Sequence, residues 1–567
     1  MKKKIVFYFL FVISPAIISQ QIHLTYSKPF EVHKTSSVIS AGAINEIGFV
    51  LQKEKKHNDN YSLISYEINN MKRISKQLII DKRCEDTLNC IDNNYSFSKL
   101  LFLKEKMILL LEQYDSDENK NTLFAQHINM KGKFEGKLVI IDQLEGEREY
   151  KSGNSWIYVN EDKTKFMVLG NKDYEGDEKI FKIKTYDENL NNLTNSTINL
   201  PNLDYNVRLI NALLDNQGKV ILLTKNFLPD EEVKIDQDNH YYSILHFNPD
   251  NNEMDKYNIQ LNKKNIHTTK LAIDNDKQLI SCAGLYATIK KKRKKARDRD
   301  GFFYMKINTE SQEIIQEITK DFSEKTISKI TGKKLKRVKK KESFGLDRYF
   351  YMDHIIHHDN GSITLIGENR YLDSRTSGGI GNSGMSSTGV SKGISTGASG
   401  GAGNYGMSST AYYNVNKDIL LIGLDKEGKL KYVNNIPRHS YFRAYTKVKP
   451  KKYLVLEKEE KIYILYNQET NNMDPYPETT KDINIKLTRP KKAYLLAAEV
   501  SPDGSYKRIK LHNSKEKKSF ISTEKMFKLN KTDYLIPTIS NPSLGCGCFT
   551  GIFRTKRTRN FLKVKIE

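Results

Sequence analysis

The chain has 567 residues, of which 38% are hydrophobic and 10% aromatic, and its formal net charge is +24. This apolar content is enough to build a folded core and excludes an intrinsically disordered chain. The positive charge favours anionic partners, although a lysine-rich surface can also serve solubility alone.

The N-terminus has the pattern of a secretory signal peptide. Three lysines at positions 2–4 precede an apolar run at 5–18, and Ser19 is a small residue at the expected cleavage point. The run is shorter than the ~20 residues of a spanning helix, which favours a cleaved signal over a membrane anchor. We therefore expect residues 1–20 to be removed on export. Residues 21–567 would then form a single domain without a transmembrane segment, in the periplasm, at the cell surface or secreted.

Five cysteines follow the predicted signal, and export would permit disulfides. Cys84 and Cys90 could close a small surface loop after a strand, and we regard this pair as a possible disulfide. Neither this pair nor Cys546 with Cys548 has the two-residue spacing of a zinc knuckle, so we predict no metal at the cysteines.

A β-hairpin pattern recurs along the chain. Each copy has an apolar strand, then an apolar residue followed by Asn, Asp or Ser, then a second strand. The short polar side chain can accept a hydrogen bond from the backbone two residues on, and Gly428 or Gly504 can supply a positive φ, so each step closes a tight turn. The turns start at Ile68, Ile128, Tyr186, Phe247, Ile307, Leu424 and Val500.

A second hairpin lies between successive copies, most clearly at residues 208–226, where Asp215 and Gly218 occupy the turn. One unit is therefore four antiparallel strands, and the first turns recur about every 60 residues, somewhat more than the roughly 40–50 residues of a propeller blade. Repeated four-stranded units predict an all-β fold, a β-propeller of seven to eight blades with eight favoured. Two stacked sheets or two smaller propellers are the alternatives.

The two ends of the chain predict how the ring closes. Residues 561–567 look like an eighth copy that stops where its turn would begin, while residues 21–32 look like a strand without a hairpin partner. Pairing these ends would complete the last blade and remove an unpaired sheet edge. We therefore expect the N-terminal strand to close the ring.

Three long loops are predicted on one face of the propeller, because loops between second and third strands share a face with loops between blades. A basic loop at 290–299 joins the second and third strands of the fifth blade, and a basic loop at 333–341 joins the fifth and sixth blades. A Gly/Ser-rich insertion at 374–410 separates the second and third strands of the sixth blade. Its composition cannot bury enough apolar surface to order itself, so we expect a flexible flap.

The two basic loops carry the candidate binding residues. Each basic group near a densely anionic surface contributes about 1 kcal/mol, and salt screens this attraction. The alternative is that the loops are solvated and repel one another. We predict that they bind an envelope protein or an anionic polysaccharide or glycolipid, and not nucleic acid. The residues are Lys290, Lys291, Lys292, Arg293, Lys294, Lys295, Arg297, Lys333, Lys334, Lys336, Arg337, Lys339, Lys340 and Lys341.

Metal and catalytic chemistry have less support in the sequence. His354, His357 and His358 surround a turn, but no third ligand stands at a diagnostic spacing, so no metal is assigned. A propeller glycan hydrolase or lyase would need two carboxylates across a pocket or a Tyr/His pair, and no motif supplies either. The chain has a single Trp, Trp156, whereas sugar sites often use indole rings. No nucleotide-binding motif is present, so we expect no cofactor.

Residues 346–468 resemble a group of uncharacterised exported proteins of Bacteroidetes. Those proteins have a hairpin that ends in Gly-Glu, a Gly- or Tyr-rich insertion, and a hairpin that ends in Ile-Pro and a basic residue. The resemblance implies a propeller-like exported protein and implies no activity. This sequence departs from the group at Tyr432, where we expect Trp. The matching residues are Asp359, Gly361, Gly367, Glu368, Asp418, Asp425, Gly428, Ile436, Pro437 and Arg438.

The sequence therefore favours an exported cell-envelope β-propeller that serves as a non-catalytic binding or scaffolding module. A propeller-fold glycan hydrolase or lyase is the alternative. A cluster of facing carboxylates with an open mouth in the central channel would favour the enzyme.

Overall fold

The structure is a computed structural model. It describes residues 22–566 except 28–29, 33–36, 55–59, 81–94, 146–153, 173–179, 200–206, 229–238, 290–297, 336–337, 339–344, 378–408, 445–452, 470–492, 514–518, 522–526, 530–532 and 541–556. The described residues form eight antiparallel sheets.

The described chain opens with two short strands whose partners lie at the other end of the sequence, β1 (Ile22–Tyr26) and β2 (Phe30–Val32). Five sheets follow, each made of four strands that are consecutive in sequence and in space. The first sheet contains β3 (Ser37–Ile44), β4 (Ile47–Glu54), β5 (Asn60–Glu67) and β6 (Lys72–Ile80). The second contains β7 (Ser96–Phe102), β8 (Met107–Asp115), β9 (Lys120–Ile128) and β10 (Phe134–Glu145). The third contains β11 (Asn154–Val159), β12 (Lys165–Lys172), β13 (Ile180–Asp187) and β14 (Asn192–Asn199).

The fourth sheet contains β15 (Val207–Leu214), β16 (Val220–Phe227), β17 (His240–Asn248) and β18 (Glu253–Ile259). The fifth contains β19 (Lys264–Asp274), β20 (Leu279–Thr288), β21 (Gly301–Asn308) and β22 (Ile314–Asp321), after which comes the helix α1 (Glu324–Thr331). The sixth contains β23 (Phe350–His357), β24 (Ile363–Ser377), β25 (Ser409–Leu424), β26 (Leu430–Ile436) and an added strand, β27 (Ser440–Ala444), that pairs with β25.

The seventh sheet contains β28 (Tyr453–Lys458), β29 (Lys461–Glu469), β30 (Ala493–Val500) and β31 (Tyr506–Asn513). The eighth contains β32 (Ser519–Ile521), β33 (Phe527–Lys528), β34 (Asp533–Ser540) and β35 (Arg557–Ile566), together with β1 and β2.

The predicted turns join the third and fourth strands of the sheets, and their chemistry is as expected. Asp187 Oδ1 accepts a hydrogen bond from the Asn189 backbone N–H at 2.8 Å, two residues on. Asp425 Oδ1 accepts one from the Lys429 backbone N–H at 2.7 Å, and Gly428 between them has a φ of +79°. These bonds form within a few residues of chain, which is why the sequence pattern predicts them.

The sheets pack side by side in a closed ring, which confirms the eight-bladed β-propeller. Each of eight buried apolar clusters joins one sheet to the next along the chain, and the last joins the eighth sheet to the first. In that last cluster, Val50 of β4 packs with Leu535 of β34 and Phe561 of β35. Two stacked sheets and two smaller propellers are therefore excluded.

The N-terminal strand closes the ring as predicted. β1 pairs antiparallel with β35 from Ile22 opposite Ile566 to Tyr26 opposite Leu562, and so forms the outer edge of the eighth sheet. Beyond the strand, the Ser27 backbone N–H donates to the Phe561 carbonyl at 2.9 Å. The Phe561 backbone N–H donates to Ser27 Oγ at 2.8 Å. The first and last described strands are thus hydrogen-bonded to each other in one sheet.

The first strands of the sheets are irregular near their starts. In five of them, one residue has no partner in the second strand, as expected for a β-bulge. Bulges increase strand twist and re-aim side chains. Because all five lie near the start of the strand, they stand on the face that carries the predicted basic loops. The extra residues are Ile39, Ser98, Ile210, His267 and Asp353.

Candidate functional site

The residues that follow the two basic segments, Arg299 and Leu346, pair with each other in an isolated antiparallel β-bridge. The Arg299 backbone N–H donates to the Leu346 carbonyl at 2.8 Å, and the Leu346 N–H donates to the Arg299 carbonyl at 2.7 Å. Arg299 stands just after the first basic segment, and Leu346 stands just after the second. Of the fourteen candidate residues, Lys333 and Lys334 are described, and the other twelve lie outside the described residues.

Arg299 itself belongs to the scaffold. It is 6% exposed, and its guanidinium donates to the backbone carbonyls of Arg348 and Phe350. Burial lowers its pKa to about 10. The end of the predicted loop 290–299 is therefore fixed to the start of the sixth sheet.

The helix α1 lies between the bridge residues in sequence and covers the junction of the fifth and sixth sheets. Ser323 caps its first turn by accepting from the Thr326 backbone N–H at 3.1 Å, and Gly332 ends it with a φ of +59°. Ile327 and Ile330 are buried in the apolar cluster that the two sheets share. The sequence analysis did not predict this helix, although a serine cap, two isoleucines three residues apart and a terminal glycine are its usual signals.

A cavity of about 310 Å³ opens beneath α1 on this face. Its lining residues include Lys333 of the second basic segment and Asp298, which directly follows the first. The opposite wall comes from the sixth sheet. The residues of that wall include Asp347, Phe350, Asn369, Lys417 and Asp418.

A network of charged side chains lies buried in the sixth sheet next to this wall. Glu368 and Arg438 are each 0% exposed, and their side chains form an ion pair at 2.9 Å. Arg370 pairs with both carboxylate oxygens of Asp353, at 2.6 and 2.8 Å, and approaches Glu368 at 3.4 Å. The Tyr453 hydroxyl of the seventh sheet donates to Asp353 at 2.9 Å. The network therefore ties the sixth sheet to the seventh.

The electrostatics of this network favour a structural role. Burial raises the pKa of Glu368 to about 6, while Arg438 and Arg370 oppose the rise, so the carboxylate is ionised at neutral pH. Burial lowers the pKa of Arg438, with Glu368 opposing that shift. Neither group of the ion pair has contact with solvent, and catalysis would need a carboxyl group that a substrate can reach.

Several of the residues that carry the sequence resemblance at 346–468 meet in this region. Glu368 and Arg438, which are seventy positions apart in the chain, form the buried ion pair. The Asn435 side-chain amide donates to Asp418 at 3.2 Å, within the same sheet. Tyr432, the point of departure from the motif, packs its ring against the backbone of Gly423 and of the turn residue Gly504.

The hairpin of β24 and β25 extends beyond the other strands of its sheet. Its ladder runs from Arg370 opposite Asn416 to Ser377 opposite Ser409, so the strands continue into both ends of the predicted Gly/Ser-rich insertion. β27 adds a third strand to this arm by pairing with β25. The remainder of the insertion, at 378–408, lies outside the described residues.

The three histidines of the predicted turn have separate partners. The His354 ring packs against Tyr453 with centroids 5.7 Å apart. His357 Nε2 hydrogen-bonds Ser281 Oγ at 2.8 Å, and burial lowers the pKa of His357 to about 4. His358 Nε2 hydrogen-bonds Thr364 Oγ1 at 2.9 Å. Within the described part of the chain, no group of three or more His, Cys, Asp or Glu side chains is placed to hold a metal.

The remaining sequence predictions fall largely outside the described residues. Residues 1–20, with the predicted signal, and the Cys84–Cys90 pair are among the undescribed positions. Cys282 is fully buried in β20. Among the described residues, no helix combines the length and the apolar character that crossing a bilayer requires.

Comparison with known proteins gives similarity of fold. No protein-family model and no curated protein matches the chain. The Dos1 propeller is similar with a TM-score of 0.41 and 8% identity, covering 96% of this chain and 95% of that one. The propeller domain of the trilobed protease from Pyrococcus furiosus has a TM-score of 0.34 and 10% identity, covering 84% and 98%. An ulvan lyase has a TM-score of 0.34 and 10% identity, covering 85% and 96%. At these values, such similarities do not distinguish a binding module from an enzyme.

Proposed function

We propose that the protein is an exported binding module of the cell envelope that holds an anionic polymer on one face of its propeller. The site is the cationic sector, which we define as the basic segments 290–297 and 333–341 with the cavity that Asp298 and Lys333 line. The bridge between Arg299 and Leu346 is the observation that supports this proposal most directly. It joins the residues that follow the two segments, and we therefore expect the charges of the two segments to act on the same ligand.

The number of charges makes the sector suited to a polymer. Fourteen basic residues belong to the two segments, and each contributes about 1 kcal/mol near a densely anionic surface. A small anion would contact only a few of them, whereas a chain of repeating negative groups can contact many at once. The attraction between exposed charges weakens as salt shortens the screening length, which is about 10 Å at 0.1 M ionic strength.

The alternative is a glycan hydrolase or lyase, whose acid–base pair needs two carboxyl groups open to the substrate. Glu368 and Asp353 do not fit this role, because Glu368 is held by Arg438 and Asp353 is held by Arg370. Asp298, Asp347 and Asp418 line the cavity, and they are the carboxylates that the alternative would use.

Neutralising the first basic segment is expected to weaken polymer binding strongly. The variant replaces the seven basic residues at 290–297 with Gln, and we expect at least tenfold weaker binding to immobilised polygalacturonate at 0.05 M salt. We expect the difference from the wild type to shrink as salt is raised, because screening removes the attraction in both proteins. Elution from a polygalacturonate column in a salt gradient measures both effects.

A matched control separates position from total charge. It replaces seven exposed lysines of turns and of third and fourth strands with Gln, so that both variants lose the same charge. The control is expected to elute close to the wild type, and equal losses in the two variants would contradict a localised site. The control positions are Lys72, Lys76, Lys131, Lys137, Lys182, Lys256 and Lys426.

A further inference from the structure

Three of the residues that line the cavity beneath α1 come from one irregularity in the sixth sheet. The ladder of β24 and β25 shifts register between Glu368 and Arg370, where one residue of β24 stands against two residues of β25. These three residues, Asn369, Lys417 and Asp418, all line the cavity. A bulge re-aims side chains, and bulges are frequent beside functional sites. This wall of the cavity is therefore built by a local departure from regular sheet pairing.

Asn369 is a buried polar residue of this wall whose hydrogen bonding is incomplete. The residue is 4% exposed, and its Oδ1 has no hydrogen-bond partner within the part of the chain that the structure describes. A buried amide without a partner costs free energy, because it has given up its hydrogen bonds to water. Since Asn369 lines the cavity, a ligand bound there could supply the missing hydrogen bond.

The cavity presents charges of both signs. Asp298, Asp347 and Asp418 contribute three carboxylates, and Lys333 and Lys417 contribute two ammonium groups. Among the described residues, no three carboxylates are placed to hold one metal ion together. A molecule with separated positive and negative groups can pair with both kinds of wall, whereas a simple anion or a simple cation would face like charges on one side.

The size of the cavity suits a small molecule. Its volume is about 310 Å³, at the lower end of the range of about 300–1,000 Å³ that is usual for small-molecule sites. The anionic polymer proposed above would contact the basic segments, whereas the three carboxylates inside the cavity would repel it. The cavity therefore suits a second kind of ligand.

We propose that this cavity binds a free amino acid in its zwitterionic form. The ammonium group of the ligand would pair with Asp347 and Asp418, and its carboxylate would pair with Lys417. The Asn369 amide can accept a hydrogen bond from the ligand's ammonium group through Oδ1 and donate one to its carboxylate through Nδ2. Because the ligand and the pairing groups differ from those of the polymer, the inference goes beyond the proposed function and does not rest on it.

Two other kinds of small molecule fit the lining less well. A polyamine would pair with the carboxylates, but it would be repelled by Lys333 and Lys417. A neutral polyol could form hydrogen bonds with the polar groups, but it would leave the charged groups without partners of opposite sign. Ile330 and Phe350 also line the cavity, and they supply apolar surface for the side chain of an amino acid.

Thermal unfolding in the presence of single amino acids tests the proposal. Each of the common amino acids is added singly, at about 10 mM, to a chain that begins at residue 21, because a ligand that binds only the folded state raises the Tm. Isothermal titration calorimetry then gives the Kd of each amino acid that does so. The same titration with its methyl ester and with its N-acetyl derivative removes the negative or the positive charge of the ligand in turn.

Three variants locate the binding. Asn369→Leu removes the amide, and Lys417→Gln removes a cation of the wall. Asn414→Leu is the matched control, because Asn414 is 8% exposed and its Oδ1 also lacks a partner among the described residues, but it does not line the cavity. Without ligand, both Leu variants should have a Tm at least as high as the wild type, since each loses an unsatisfied buried amide. Near-ultraviolet circular dichroism establishes that all three variants are folded.

We expect at least one amino acid to bind the wild type and to bind Asn369→Leu and Lys417→Gln about tenfold more weakly or worse. Its ester and its N-acetyl derivative should lose affinity to a similar extent, and the control variant should bind it as the wild type does. The inference would be overturned if no amino acid raised the Tm of the wild type, or if both derivatives bound as well as the parent. It would also be overturned if Asn414→Leu weakened binding as much as Asn369→Leu. The polymer measurements are separate, because they test the basic segments.

Discussion

Removal of β1 is expected to lower the Tm of the propeller by several degrees and to make the protein prone to associate. The strand supplies the outer edge of the eighth sheet, where Ile22, Leu24 and Tyr26 pack against the apolar cluster shared with the seventh sheet. Burying a side chain of this size contributes about 1.5–3 kcal/mol when it is complete, and these three are partly buried. We therefore expect a loss of about 3 kcal/mol in unfolding free energy.

The structure of the eighth sheet also predicts a second consequence. Without β1, the backbone of β35 would present unpaired donors and acceptors along an open edge, and such edges pair with other chains. A chain that begins at residue 28 is expected to form dimers or larger species in analytical ultracentrifugation, whereas a chain that begins at residue 21 should not associate through this edge.

Adding the missing strand as a peptide provides the control. A peptide with the sequence of residues 21–27 can pair with the free edge of β35 by strand addition, so it should restore the Tm in a concentration-dependent way. A scrambled peptide of the same composition should have no effect. The ring closure would be contradicted if the shortened chain kept the Tm of the full chain and neither peptide changed it.

Replacement of Arg438 by Met is expected to destabilise the protein by about 3–5 kcal/mol, the usual range for breaking a buried ion pair by removing one partner. Arg438 and Glu368 are both fully buried. The substitution keeps apolar bulk at position 438 but leaves the carboxylate with Arg370, at 3.4 Å, and a hydrogen bond from the Asn416 side chain. Urea-induced unfolding of the two proteins at pH 8 measures the difference.

An exposed ion pair serves as the matched control for Arg438→Met. Lys120 pairs with Glu118 at 3.1 Å, and their side chains are 30% and 63% exposed. Exposed pairs contribute about 0–1 kcal/mol, so Lys120→Met should cost far less. If the two substitutions lower the free energy of unfolding by similar amounts, the buried pair does not contribute the stability assigned to it.

The effect of Arg438→Met should also depend on pH. Burial already raises the pKa of Glu368 to about 6, and the positive charge of Arg438 opposes that rise. Loss of Arg438 should therefore raise the pKa of Glu368 further. A carboxyl group whose pKa is higher in the folded state takes up a proton on folding, so its protonated form favours the fold at low pH and its ionised form opposes the fold at high pH. The stability gap between wild type and variant should therefore narrow as pH falls from 8 to 5. A gap that widened on acidification would contradict this assignment.

The blades could be predicted from the sequence because their signals are local. Alternating apolar residues and a short polar residue at each turn lie within about ten residues of one another, as at Asp425 and Gly428, where the predicted turn is formed. Ring closure could be predicted for a different reason. Counting the strands along the sequence leaves the last sheet one strand short and leaves the first strand without a partner. The pairing of β1 with β35 resolves both.

The site depends on contacts that the sequence pattern does not contain. Glu368 and Arg438 are brought together by the hairpins of the sixth sheet, and their pairing becomes visible only when β24 and β25 are in register. The cavity depends on α1, whose packing against two sheets decides its position.

A pair of stacked tyrosines at the sixth sheet shows the same limit. Tyr349 and Tyr371 are twenty-two positions apart in the chain and are separated by a complete hairpin, and they stack because β23 and β24 are neighbours. The sequence analysis considered aromatic sugar sites, and it gave them less weight because Trp156 is the single tryptophan. In the structure these tyrosines lie next to cations, and the sequence alone does not show that they are close in space.

Hydrogen–deuterium exchange of a chain that begins at residue 21, with and without polygalacturonate, tests the cationic sector most directly. We expect slower exchange in the peptides that carry Arg299, α1, Leu346 and the paired ends of β24 and β25, with unchanged exchange in the first three sheets. Protection confined to the sheets away from the fifth and sixth, or no protection at polymer concentrations that saturate binding, would contradict the assignment of this face as the binding site.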